Sequence, residues 1–219
     1  MLPSSAQALN GVSLLQNLVR IALYSQWDRN RTFWSSPTYV LIVANSIVYV
    51  LLLVGGDPVY YFLAQTGELV LGQGYYWQVF TSLFVHFDIS HILLNMVGLY
   101  YFGKLNEAQF SNRQFYVIYF VSGLLGNVVS LYLIPLDVQS GGASGAIFGL
   151  LGSYVAISRQ ARNLGVALVY AVIIFISSSG PGVNIFAHLF GLVAGILLGL
   201  AFVSGRRPIG YSEPYGYTV

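Results

Sequence analysis

No cysteine occurs in the chain, which excludes disulfides, thiolate catalysis and cysteine-held metals. Charge is nearly as scarce: only 7% of the 219 residues are charged, against 56% hydrophobic. A soluble domain carries about 25% charged and about 45–50% apolar residues, so most of this chain is built for lipid. The net charge of +2 is too small to argue for a nucleic-acid partner. The long apolar runs contain no carboxylate. That excludes aspartyl chemistry inside a membrane and weighs against proton-coupled transport, which commonly leans on intramembrane acids. A helical zinc-protease pattern needs two histidines four apart with a glutamate between. His86 and His91 are five apart without one, so neither a metal nor another cofactor is expected. The N-terminus lacks the basic region, apolar run and cleavage site of a signal peptide, and is expected to stay on the mature protein.

Six apolar segments are present, at about 39–54, 89–103, 115–135, 144–158, 164–177 and 183–203. Crossing a bilayer core takes about 20 helical residues, which the first, third and sixth meet or approach. The others are short, and the second contains His91 and Asn95. Short polar spans make sense when other helices shield them or when they open into a water-filled cavity. The expectation is an all-α, six-transmembrane-helix bundle over 37–204. An N-terminal segment (1–36) precedes it and a polar tail (205–219) follows it.

Charge orients the bundle. All nine basic residues fall in the N-terminal segment (Arg20, Arg29, Arg31), the second-to-third loop (Lys104, Arg113), the fourth-to-fifth loop (Arg159, Arg162) or the tail (Arg206, Arg207). The alternate loops hold Asp57, Glu68, Asp88 and Asp137 and no base. This is the positive-inside pattern, and it places both termini in the cytoplasm of a multi-pass protein, with the cell membrane as the expected location. Residues 9–23 carry apolar side chains at helical spacing, which suggests a helix lying on the inner surface. The first external loop, 55–88, is dense in Tyr, Trp and Phe, as a headgroup-level segment would be; an interfacial anchor and a functional element are both open readings.

The polar residues that remain cluster on the external side. Gly141-Gly142-Ala143-Ser144-Gly145 opens the fourth segment, so Ser144 sits at a helix N-terminus, where free N–H groups and the helix dipole favour an oxyanion. Ser144 reads equally as an N-cap, and Gly145 with Gly149 as a helix-packing face. His188 begins the sixth segment at a similar depth, and an intramembrane histidine is a functional candidate by default. A histidine bonded to a neighbouring helix is the alternative. Gly191, Gly195 and Gly199 line one face of that helix; packed on Gly145 and Gly149, they would bring His188 to Ser144. His91 and Asn95 share a helical face, and the asparagine amide offers two N–H donors. Helix-to-helix bonding is the competing reading there. His86 completes the histidines.

Together these motifs, His91-xxx-Asn95, Gly142-Ala143-Ser144-Gly145 and Ala187-His188-xx-Gly191-xxx-Gly195, resemble the rhomboid family of intramembrane serine proteases over about 39–203. The resemblance implies a Ser144–His188 dyad without a third acidic member, cleaving in or beside transmembrane segments of other membrane proteins within the lipid bilayer. Asn95, His91 and the Ser144 backbone N–H would line the oxyanion hole. Gly142, Gly145, Phe148 and His86 would support the site. The fifth segment and the loop 178–184 look like the gate and cap. Two positions depart from the family pattern: its Trp-Arg pair is Trp77-Gln78 here, and Phe148 stands where some members have Tyr. The competing readings are a catalytically silent rhomboid-like protein that binds membrane helices, and a small channel or transporter.

Overall fold

Helix α1 (Pro37–Gly55) begins where sequence chemistry says it should. The Ser36 side chain accepts the Tyr39 N–H, and Pro37 occupies the first turn, where its missing N–H costs nothing. The helix ends at Gly56, whose φ of 61° suits glycine. The computed structural model describes residues 32–160 and 182–204, with five helical positions between them (165, 169, 171, 172 and 174). The surface helix expected at 9–23, most of the fifth segment, most of the loop 178–184 and the tail beyond 204 lie outside the described residues.

A short helix α2 (Asp57–Leu63) follows, then strand β1 (Gln65–Thr66), a helical turn and α3 (Gln78–Thr81). The chain bends by 89° before α4 (Ile89–Glu107). Helix α5 (Asn112–Ser130) opens on a capping box between Ser111 and Gln114. Strand β2 (Gln139–Ser140) pairs antiparallel with β1 and leads into α6 (Ser144–Gln160). Helix α7 (Ile185–Ser204) completes the described elements.

Helix α6 is the axis of the bundle, packed by α4, α5 and α7. Ala146 and Leu150 on α6 are wholly buried, with Leu99 of α4 and Phe115, Ile118 and Tyr119 of α5 around them. Helix α1, by contrast, exposes Ile47, Val50, Leu51, Leu53 and Val54, a surface that belongs in lipid. Among the described residues two helices, α1 and α7, are long and apolar enough to cross a membrane. A third qualifies if the bent pair ending in α4 is one span, and α6 is a shorter apolar helix.

Helices α6 and α7 meet backbone to backbone. A Cβ on Gly191 would fall on the Gly145 carbonyl, and one on Gly195 on the Gly149 carbonyl. Gly152 is equally close to the Leu192 carbonyl on α7. The small-residue face of 191, 195 and 199 therefore packs on 145, 149 and 153.

Two segment boundaries need correction. The third segment, expected to reach 135, stops at Ser130, and turns follow. The second, expected to end at 103, continues to Glu107, so a described helix does carry an acid. Glu107 is 2% exposed, and its burial is compensated. One carboxylate oxygen accepts the Ser36 hydroxyl (2.6 Å) and the Thr38 N–H (2.8 Å). The other faces the Lys104 ammonium at 3.3 Å. A buried charge with such partners is tolerated where a bare one is not.

Candidate active site

Three helix starts converge on the site, each fixed by its own local chemistry. Helix α4 starts at Asp88, whose carboxylate accepts the His91 N–H (2.8 Å) and the Ser90 hydroxyl. Those two contacts, the Ser90 hydroxyl first, hold the Asp88 carboxyl below its ordinary range. The start of α6 is held through Gly142, which has φ 133° and donates its N–H to the Ser82 carbonyl at 2.8 Å. Ser82 is anchored in turn by the Asn127 amide, which donates to its hydroxyl at 2.9 Å. At the start of α7, the Asn184 side chain accepts the Ala187 N–H at 3.0 Å.

The result brings Ser144 and His188 together. His188 Nε2 lies 2.8 Å from Ser144 Oγ. The imidazole is 4% exposed and stacks on the Phe148 ring, with centroids 4.4 Å apart and planes 21° apart. Its Nδ1 is buried and has no hydrogen-bond partner among the described residues. Gly145 allows α7 to come this close, since a Cβ there would lie 3.2 Å from the Ala187 carbonyl beside His188.

His91 flanks the same point. A Cβ on Gly142 would sit 2.9 Å from His91 Nε2 and 3.5 Å from Ser144 Oγ, so glycine keeps a gap open between ring and hydroxyl. Asn95 is buried one turn below. Its amide nitrogen donates to the His91 carbonyl at 2.9 Å, which leaves one of its two N–H groups uncommitted. His86 is farther back. It is fully buried, its Nδ1 lies 3.2 Å from the Phe84 carbonyl, and its ring meets the edge of His91 at 4.9 Å. His86 thus contacts His91 rather than Ser144. No group of three His, Asp or Glu side chains able to hold a metal occurs among the described residues.

Gln78 does what its size permits. Its amide oxygen accepts the Thr66 N–H (3.2 Å) and its nitrogen donates to the Tyr61 carbonyl (2.8 Å). It therefore clamps the end of α2 to β1, and Trp77 adds a bond to the Phe62 carbonyl at 2.9 Å. Sequence reasoning overlooked Ser82, Asn127, Ser140 and Asn184. Only Asn184 had a readable signal, an Asn just ahead of an apolar run. The others act across 40 or more residues, beyond the reach of any local pattern.

Comparisons with known proteins agree on one family. The rhomboid domain model matches residues 73–205. Relatives include two Bacillus subtilis (strain 168) proteins. YdcA is 32% identical over 147 residues, 64% of this chain and 74% of that protein. The rhomboid protease GluP is 30% identical over 176 residues, 75% of this chain and 34% of that protein. Rhomboid-like protease 3 of Toxoplasma gondii is 33% identical over 132 residues, 56% of this chain and 50% of that protein. The chain thus spans a third to a half of the length of the last two. The glycine-flanked serine, the histidine facing it and the matched domain lead to one conclusion: the chain belongs to the rhomboid family, as a multi-pass integral membrane protein homologous to rhomboid proteases.

Proposed function

We propose that this protein is an intramembrane serine endopeptidase that cleaves transmembrane segments of other membrane proteins with a Ser144–His188 dyad. The observation that carries the reading is the 2.8 Å approach of His188 Nε2 to Ser144 Oγ, buried where two helices begin. A serine hydroxyl is a weak nucleophile until an adjacent base accepts its proton. Neutral His188, with its proton on Nδ1, presents a free Nε2 lone pair to that hydroxyl.

The chemistry then follows the usual balance of acyl transfer. Ser144 Oγ bonds to the scissile carbonyl carbon as its proton moves to His188 Nε2. The carbonyl oxygen becomes an oxyanion, for which the uncommitted Asn95 N–H, His91 and the Ser144 backbone N–H are the available donors. His188 returns the proton to the departing amine nitrogen, leaving an acyl-enzyme. A water activated by the same imidazole releases the new carboxyl end. In this reading the bundle has six spans with both termini in the cytoplasm, and the dyad opens toward the opposite side.

The test is cleavage of a panel of single-span substrates by the purified protein, beside covalent labelling with a fluorophosphonate. The wild type should cleave and label; Ser144→Ala should do neither while keeping its melting temperature. Cleavage by Ser144→Ala near the wild-type rate would sink the assignment. Topology has its own test: cysteines placed at Asp57, Asp137 and Gly182 should react with an impermeant maleimide outside cells, and those at Arg113 and Arg207 should not.

A further inference from the structure

We infer that Asn184 is a positioning residue that ties the start of the histidine helix to the segment carrying the nucleophile. The inference rests on the protease reading above and deepens it. Two bonds carry it. The Asn184 side-chain oxygen accepts the Ala187 N–H at 3.0 Å, which caps α7 one turn before His188. The nitrogen of the same amide donates to Ser140 Oγ at 2.9 Å. Ser140 lies in β2, paired with Gln65 of β1, and precedes Ser144 by four residues, as Asn184 precedes His188. One planar amide therefore spans the gap between the two helix starts.

Such a brace has work to do because, among the described residues, no second hydrogen bond sets the imidazole: its Nδ1 has no partner there. The ring therefore takes its place from the Phe148 stack and from where α7 begins. The glycine contacts fix how closely α6 and α7 approach, but glycine faces have no side chains to interlock along the helix axis. Asn184 supplies an axial stop at the start of α7, beside the close approach of Gly126 on α5 to Ala187. A shift of about 1 Å in a reacting group costs about a hundredfold in rate.

The test compares Asn184→Ala, Asn184→Asp, Ser140→Ala and the double Asn184→Ala/Ser140→Ala in the full-length protein. The readouts are fluorophosphonate labelling rate, kcat and KM for one transmembrane substrate, and melting temperature. Asn184→Ala should lose about ten- to hundredfold in labelling and in kcat, with KM within about twofold, by the same misplacement argument. Asn184→Asp should recover to within a few-fold, since a carboxylate still caps α7 and accepts the Ser140 hydroxyl. Ser140→Ala keeps the cap and loses only the brace. It should lose kcat several-fold at an unchanged melting temperature, and it keeps the inference testable if Asn184→Ala does not fold. The double variant should be no slower than Asn184→Ala.

Ser140→Ala labelling at the wild-type rate overturns the inference, as does a double variant whose losses multiply. So does an Asn184→Asp variant as slow as the alanine. A wild type that neither labels nor cleaves overturns the protease reading itself, a result distinct from a wild type that labels beside variants that label as fast.

Discussion

The two ends of the helix bundle treat polarity in opposite ways. At the end where α1 starts and α4 finishes, polar groups are paired off. Glu107 takes Ser36, Thr38 and Lys104, and Lys104 also lies over the Tyr39 ring. Asn106 donates to the Phe102 and Leu150 carbonyls and accepts the Ser153 hydroxyl at 2.5 Å. Thr38 Oγ1, packed on Gly103, is an exception there, and farther along α1 and α5 Asn45 Oδ1, Tyr119 Oη and Ser122 Oγ are also buried without partners among the described residues. Toward the other end, where Asn95 and His91 lie about 18 and 24 Å from Glu107 along α4 at 1.5 Å per residue, His188 Nδ1, His86 Nε2 and Asn95 Oδ1 are buried without partners among the described residues. A structural network satisfies its members because each unmet group costs stability. A reactive site keeps some bonding capacity open for what it will bind. On the proposed reading, the contrast separates Glu107, a charge held for architecture, from His188, the proposed base.

The sharpest way to break this comparison is at His188. His188→Ala should be nearly inactive toward both protein substrates and fluorophosphonate, because both need the same base, while its melting temperature barely moves. Wild-type turnover should fall as pH drops, since an imidazolium cannot accept the Ser144 proton. A rate that holds steady into acid, or an active alanine variant, removes His188 from the chemistry.

Next in size is Asn95. Asn95→Ala should lower kcat by up to about a hundred- to thousandfold, the range for an oxyanion donor, and leave KM nearly unchanged. Lost affinity at a preserved kcat would place Asn95 among the structural groups instead.

The opposite end should respond in stability rather than turnover. Glu107→Ala removes the carboxylate that faces the buried Lys104 ammonium and should cost up to about 3–5 kcal/mol of folding free energy, seen as a lowered melting temperature. Turnover per folded molecule should stay within a few-fold. If kcat collapses while stability holds, the two ends are not separate in role.

Smallest of all should be the loop carboxylates. Neutralising Asp57, Glu68 or Asp137 singly should leave kcat within a few-fold, because no acid need orient the imidazole. An indispensable carboxylate among them would turn the dyad into a triad.

The composition settled by itself that this chain belongs in a membrane, because so few charges and so many apolar residues cannot form a soluble domain. The helix starts at Ser36, Asp88 and Ser111 rest on three or four neighbouring residues each. Apolar runs alone nevertheless put the first and third segments at 39 and 115, two and three residues late, because capping residues are polar. The paired motifs at 91–95, 142–145 and 187–195 could be read as one site, but only their packing decides which atoms meet. That His188 faces Ser144 at 2.8 Å depends on Gly145 and Gly191, and Gly149 and Gly195, each pair 46 residues apart, closing backbone on backbone. That Glu107 lies inside a helix, and Asn184 against Ser140, depends on contacts 69 to 71 and 44 residues apart. Local pattern reaches one helical turn, whereas hydrogen bonds and close packing act across any sequence separation once the chain has folded.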